Sequence, residues 1–231
     1  MKLYGTVLAA ALLLAGCGNS EEAAAPAAAN AGASAAPDVP VMGREWRVLA
    51  LGDSLFAGYG LRAEESYPAR LEAALRARGV NARIANAGVS GDTTAGGLER
   101  LSFTLESQPQ APDLAIISLG GNDMLRGLPP EQTRANLDAI VTELRGRKIR
   151  VLLMGMLAPP NLGPDYRGKF DPIYPALAEK HGVSLVPFFL KAVIDKPDLV
   201  QQDHIHPTAR GIEEIVAATA FAVEGELVEG A

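Results

Sequence analysis

The chain has 231 residues, 48% apolar and 21% charged, with a formal net charge of -6. That acidic balance, with no Lys/Arg stripe carrying interleaved aromatics, excludes a nucleic-acid binder. A single cysteine, Cys17, excludes an intramolecular disulfide scaffold and any cluster of cysteine metal ligands.

The first segment reads as an address. Met1-Lys2-Leu3 is followed by small and apolar residues from Val7 to Ala15. A charged start, a short apolar core and a small-residue cleavage site have the order of a secretory signal, and the core is too short to span a bilayer. Leu14-Ala15-Gly16-Cys17 resembles the lipobox of bacterial lipoproteins. The resemblance implies cleavage before Cys17 and lipidation of that residue, with residues 1–16 as the signal peptide. Several acyl chains would hold the protein at a membrane where one chain binds only reversibly. Gly18, rather than Asp, after Cys17 suggests sorting to the outer membrane, facing the periplasm, by resemblance to enterobacterial lipoproteins. An Ala-rich stretch with Pro26, Pro37 and Pro40 follows, offering little bulk to pack. Residues 17–43 are therefore expected to be a lipidated cysteine and a flexible spacer.

Residues 44–231 have the length of one domain. Their pattern alternates. Val48–Leu51 is an apolar run ending at a turn and predicts a buried strand. Glu64–Arg78 has helical spacing, with Gly79 as its stop. Strands are predicted at Ala82–Ala87, Leu114–Leu119, Ile149–Met156 and Val183–Pro187. Helices are predicted at Pro130–Leu144, Asp171–Lys180 and Thr208–Val223. Strands alternating with helices imply an α/β fold, a parallel sheet covered on both faces.

The residues suited to chemistry lie at the ends of these strands. Gly52-Asp53-Ser54-Leu55 follows the first, and Ser54 reads either as the N-cap of the next helix or as a nucleophile. It is not the G-x-S-x-G elbow, because Phe56 occupies the second Gly position. Asn86 to Thr94, containing Gly91, follows the second strand. Gly120-Gly121-Asn122-Asp123 follows the third. Asp92 and Asp123 are expected to cap helices. Near the C-terminus, Asp203-His204-Ile205-His206-Pro207 holds two of the three histidines. Asp203 and His206 are three apart, so one helical turn would put them on the same side. There a carboxylate can hold one imidazole nitrogen and leave the other for a Ser hydroxyl, with His204 pointing elsewhere. A metal site from Asp203, His204 and His206 is the competing arrangement; it lacks a further protein ligand at helical spacing. His181, at a helix end beside Gly182, is expected to cap or lie on the surface.

Taken in order, Gly52-Asp53-Ser54-Leu55, Gly91, Gly120-Gly121-Asn122-Asp123 and Asp203-His204-Ile205-His206 resemble the four blocks of the SGNH hydrolases, also called the GDSL esterases and lipases. The stretches Asn86–Thr93 and Pro159–Tyr166 are similar to the branch containing thioesterase I (protease I, lysophospholipase) and arylesterases. The resemblance implies a three-layer α/β/α sandwich with a five-stranded parallel sheet, flavodoxin-like in plan. It implies Ser54 as nucleophile, His206 as general base and Asp203 as its orienting acid. It also implies an oxyanion hole from the Ser54 and Gly91 backbone N–H groups and the Asn122 amide. No cofactor and no metal are implied. The implied substrate is a small acyl ester, thioester or lysophospholipid. The turn Met124–Pro130 and the loop Ala158–Tyr166 are expected to wall the acyl pocket, with Met124, Leu125, Leu128 and Leu162 making it apolar. A cell-envelope polysaccharide O-deacetylase and a lipid-anchored binding protein without turnover are the alternatives. The 5% aromatic content offers few rings for stacking on sugars.

Overall fold

The structure is a computed structural model, and it describes residues 41–228. The signal segment, Cys17 and the spacer up to residue 40 lie outside the described residues. Among those described, no helix is long and apolar enough to cross a membrane.

Five strands alternate with helices: β1 (Trp46–Gly52), α1 (Ser54–Ala57), α2 (Tyr67–Ala77), β2 (Ala82–Gly88), α3 (Thr94–Glu99), α4 (Leu101–Glu106), β3 (Leu114–Ser118), α5 (Gly121–Leu125), α6 (Pro130–Gly146), β4 (Arg150–Met154), α7 (Gly163–Phe170), α8 (Ile173–His181), β5 (Ser184–Val186) and α9 (Ala209–Val228). The sheet is parallel throughout, in the order β2-β1-β3-β4-β5. This is the doubly wound, flavodoxin-like order, whose direction of winding reverses between β1 and β3.

Burial explains the strand sequences. Every residue of β3 is buried, and all but Arg47 of β1. Strands covered on both faces need apolar side chains in both directions, so they read as unbroken runs. The edge strands β2 and β5 are only partly covered, and charged or polar residues interrupt them. On one face α2 packs along α9; on the other, α6 contacts α3, α8 and β4.

The predicted elements all form, with shifted ends. The helix expected from Glu64 begins at Tyr67, because Pro68 sits in its first turn and fixes the start. The last helix runs on to Val228, carried by Val223 and Leu227 on its buried side. Five short helices carry no predicted bounds: α1, α3, α4, α5 and α7. Four to eight residues give too little periodicity to read, and α3 contains Gly96 and Gly97.

A buried aromatic cluster sets the base of the functional turn. Phe56 stacks on Tyr67 with centroids 5.2 Å apart, and both meet the edge of Phe189. Phe56 is fully buried. Truncating such a side chain typically costs about 3–5 kcal/mol. The ring also explains Gly52: a Cβ there would lie 2.7 Å from the Phe56 ring.

Candidate active site

The chain leaves β1 at Gly52 and turns at once into α1. Asp53 caps that helix, its Oδ1 accepting the Leu55 N–H at 3.0 Å. Ser54 is the first helical residue, and first-turn N–H groups have no partner within their own helix. Of the two readings of Ser54, the helix cap falls away: Asp53 takes that role, and the Ser54 hydroxyl is left for other contacts. Gly58 ends the helix in the left-handed conformation, φ 79°.

The Ser54 hydroxyl meets a residue 152 positions away. Its Oγ lies 2.8 Å from His206 Nε2, and His206 Nδ1 lies 2.6 Å from Asp203 Oδ2. The pairing of Asp203 with His206 comes from a turn, not a helical turn as expected. Asp203 Oδ1 accepts the N–H groups of Ile205 and His206, at 2.9 and 3.0 Å, and folds the segment on itself. His204 takes a positive φ of 58° inside that turn. It stays out of the Ser54–His206–Asp203 chain, although it lines the same cavity. Burial pulls the Asp203 carboxyl upward, but hydrogen bonds from His206 and Ile205 outweigh it and carry it down to about 2. A carboxylate so held stays ionised and fixes the imidazole tautomer that offers Nε2 to the hydroxyl. Among the described residues, no group of three or more His, Cys, Asp or Glu is arranged to hold a metal ion.

The other two predicted blocks converge on the same cavity. Gly91 and Asn122 both line it together with Ser54. Gly91 has φ 85°, a conformation that favours glycine. The Asn122 amide donates to the Asp92 carbonyl at 2.9 Å and to Asp53 Oδ2 at 3.3 Å. Burial pushes Asp53 up to about 6; the Leu55 N–H and nearby His206 pull it down, and Asp92 adds to the rise.

The two acids expected to cap helices behave differently. Asp92 pairs instead with Arg100 at 2.6 Å, and Arg100 also donates to the Gly52 carbonyl at 3.0 Å. Thr93 is the cap of α3. Asp123 does hold a first-turn N–H, but of a neighbouring helix: it accepts from Thr94 N at 2.8 Å, and from the Thr94 and Thr133 hydroxyls. This buried carboxylate locks α3 to the segment carrying Asn122. His181 bonds Asp138 on α6 at 2.5 Å beside Lys180, a contact between α8 and α6 away from the cavity.

The cavity holds about 450 Å³. Met124 and Leu125 line it as expected, whereas Leu128 and Leu162 do not. Leu162 packs against the core, and the Leu128 carbonyl accepts the Tyr166 hydroxyl at 3.0 Å. The apolar wall comes instead from Met156, Leu157 and Pro159 beyond β4, and from Phe188, Leu190 and Ile194 beyond β5. Tyr59 places its ring 4.4 Å from the His206 ring, tilted by 32°. Of these, only Pro159 falls in a loop expected to wall the pocket; no sequence pattern singled out the others, and only their position after strand ends could have suggested them.

Comparison with known proteins agrees with this geometry. Residues 50–213 match the family described as GDSL-like Lipase/Acylhydrolase. The chain is 43% identical over 161 residues to the arylesterase of Vibrio mimicus, covering 70% of this chain and 80% of that protein. It is 40% identical over 160 residues to the thioesterase 1/protease 1/lysophospholipase L1 of Escherichia coli, covering 69% and 74%. The crystal structure of AlinE4, an SGNH-hydrolase family esterase, is 64% identical and superposes with a TM-score of 0.69, covering 80% of this chain and 98% of that one. With a hydroxyl, an imidazole and a carboxylate in line at the switch point of such a sheet, the chain belongs to the GDSL-like lipase/acylhydrolase family and is a hydrolase of ester bonds.

Proposed function

We propose that the protein is a serine esterase cleaving small carboxylic esters and thioesters, or lysophospholipids, through an acyl-Ser54 intermediate. One observation carries the reading: Oγ of Ser54, both nitrogens of His206 and the Asp203 carboxylate form a continuous chain at 2.8 and 2.6 Å. A serine hydroxyl is a poor nucleophile without an adjacent base. In the first step Oγ attacks the acyl carbon and its proton passes to His206 Nε2. The developing oxyanion is met by the N–H groups of Ser54 and Gly91 and by the Asn122 amide. Of the two Asn122 contacts, the 3.3 Å one to Asp53 is the weaker, and it is the one the oxyanion displaces. His206 then gives its proton to the departing alcohol or thiol. Water, activated by the same nitrogen, attacks the acyl-Ser54 carbon and restores the hydroxyl.

Arylesterase, thioesterase and lysophospholipase names among the relatives support small acyl substrates, and the apolar cavity suits an acyl chain. The lipobox-like Leu14–Cys17 supports a lipid-anchored enzyme of the cell envelope, held at the outer membrane and facing the periplasm. The test of the mechanism is Ser54→Ala, assayed on a short p-nitrophenyl ester. Turnover is expected to drop by roughly a thousandfold or more. Activity within tenfold of wild type would overturn Ser54 as the nucleophile.

A further inference from the structure

The turn carrying Gly91 lies between β2 and α3, with Gly91 in the left-handed conformation at φ 85°. The Asp92 N–H closes this turn from inside on the Val89 carbonyl, at 3.1 Å. Glycine is the softest residue of the backbone, so the setting of Gly91 within the turn also depends on what grips it from outside. Four hydrogen bonds tie the turn and the start of α3 to the segment carrying Asn122. Asn122 donates to the Asp92 carbonyl at 2.9 Å, and Thr94 donates to Asp123 from its N–H at 2.8 Å and from its hydroxyl. The fourth is different in kind. Arg126, the residue that ends α5, donates from Nη2 to the carbonyl of Gly91 itself, at 2.6 Å. Its side chain is exposed and does not line the cavity. A second arginine, Arg100, grips the next residue by pairing with Asp92, and reaches back to Gly52.

We propose that Arg126 is a positioning residue for the oxyanion hole. Its charge-assisted bond braces the peptide unit after Gly91, the same unit whose N–H closes the turn on Val89, and so steadies the ψ of Gly91. The Gly91 N–H is thereby held at the angle the oxyanion needs. Bonds from a charged donor are roughly twice as strong as neutral ones, which suits a brace made from the solvent side. Arg126 is the C-cap of the short helix that carries Asn122, so one segment sets two of the three donors. The arrangement costs no space in the cavity, whose lining includes Gly91 but not Arg126. The inference rests on the serine-esterase reading above.

The test uses the purified full chain with a short p-nitrophenyl ester, and a fluorophosphonate label that reacts at Ser54. For Arg126→Ala, kcat is expected to fall about tenfold, less than the hundredfold or more for loss of a whole donor. KM stays within about twofold, the labelling rate falls in parallel, and the melting temperature moves by about 2 °C or less, as for a surface contact. Arg126→Lys, which keeps a charged donor, recovers kcat to within about threefold of wild type. Arg126→Met keeps the apolar stem and is read in the same way, so the test does not depend on R126A folding. Wild-type kcat in both R126A and R126M overturns the brace, and so does a rise in KM with kcat unchanged, which would mean contact with substrate. Failure of the underlying reading is separate: it shows as turnover surviving Ser54→Ala.

Discussion

Replacing Asp53 by Asn removes one buried ionisable group while keeping a good helix cap, because an Asn oxygen can still accept the Leu55 N–H. Asp53 is 2% exposed, and burial is the largest cause lifting it from an ordinary 3.8 to about 6. Between those two values the folded protein holds a proton that the unfolded chain has released. Folding then binds protons, so stability falls as pH rises through this window. Below about pH 4 both states are protonated and the penalty vanishes; above about pH 6 it is complete. At about 1.4 kcal/mol per pH unit, the gap between 3.8 and about 6 amounts to roughly 3 kcal/mol. Urea unfolding of wild type and Asp53→Asn across pH 4 to 8 measures it. The stability of the variant minus that of wild type should climb by about 3 kcal/mol as pH rises toward 7, then level off. Groups common to both proteins cancel in that difference. A flat difference would show that the Asp53 carboxyl is ionised at little cost, and would refute the account of its burial.

Two further outcomes are expected. Asp203→Asn should lower kcat by roughly a thousandfold or more while leaving the melting temperature nearly unchanged, since Asp203 sits at the surface of a turn and its task is to hold the His206 tautomer; near-normal turnover would assign the orienting role elsewhere. Cys17→Ser should abolish incorporation of labelled palmitate and release the protein from the membrane fraction of expressing cells, and label retained in the variant would remove the case for a lipid anchor.

Much of the site was legible because its parts fall at strand ends. Buried strands of a parallel sheet announce themselves as apolar runs, and Ser54, Gly91 and Asn122 each follow one. The histidine pair was legible because few histidines exist and one stands three residues after Asp203. Apart from Met124 and Leu125, the wall of the cavity was not. Met156, Leu157, Phe188, Leu190 and Ile194 are ordinary apolar residues in loops, and nothing local separates a residue facing a cavity from one filling a core. Leu128 and Leu162 are apolar residues of the same kind, yet they fall outside the lining.

Local chemistry also gave Asp92 and Asp123 the same expectation, as acids in small-residue turns. Their partners differ because Arg100 and Thr94 are brought to them by the two ends of α3, an element too short to delimit from periodicity. By itself, the order of residues determined the alternating elements, the parallel sheet and the identity of the groups able to do chemistry, since these depend on periodicity and side-chain type. Only the tertiary structure decided that Asp53 is buried beside Asn122, that the Asp203 turn delivers His206 to Ser54, and that Arg126 reaches Gly91. Those are contacts between residues 35 to 152 positions apart, formed only after chain segments have packed and water has left them.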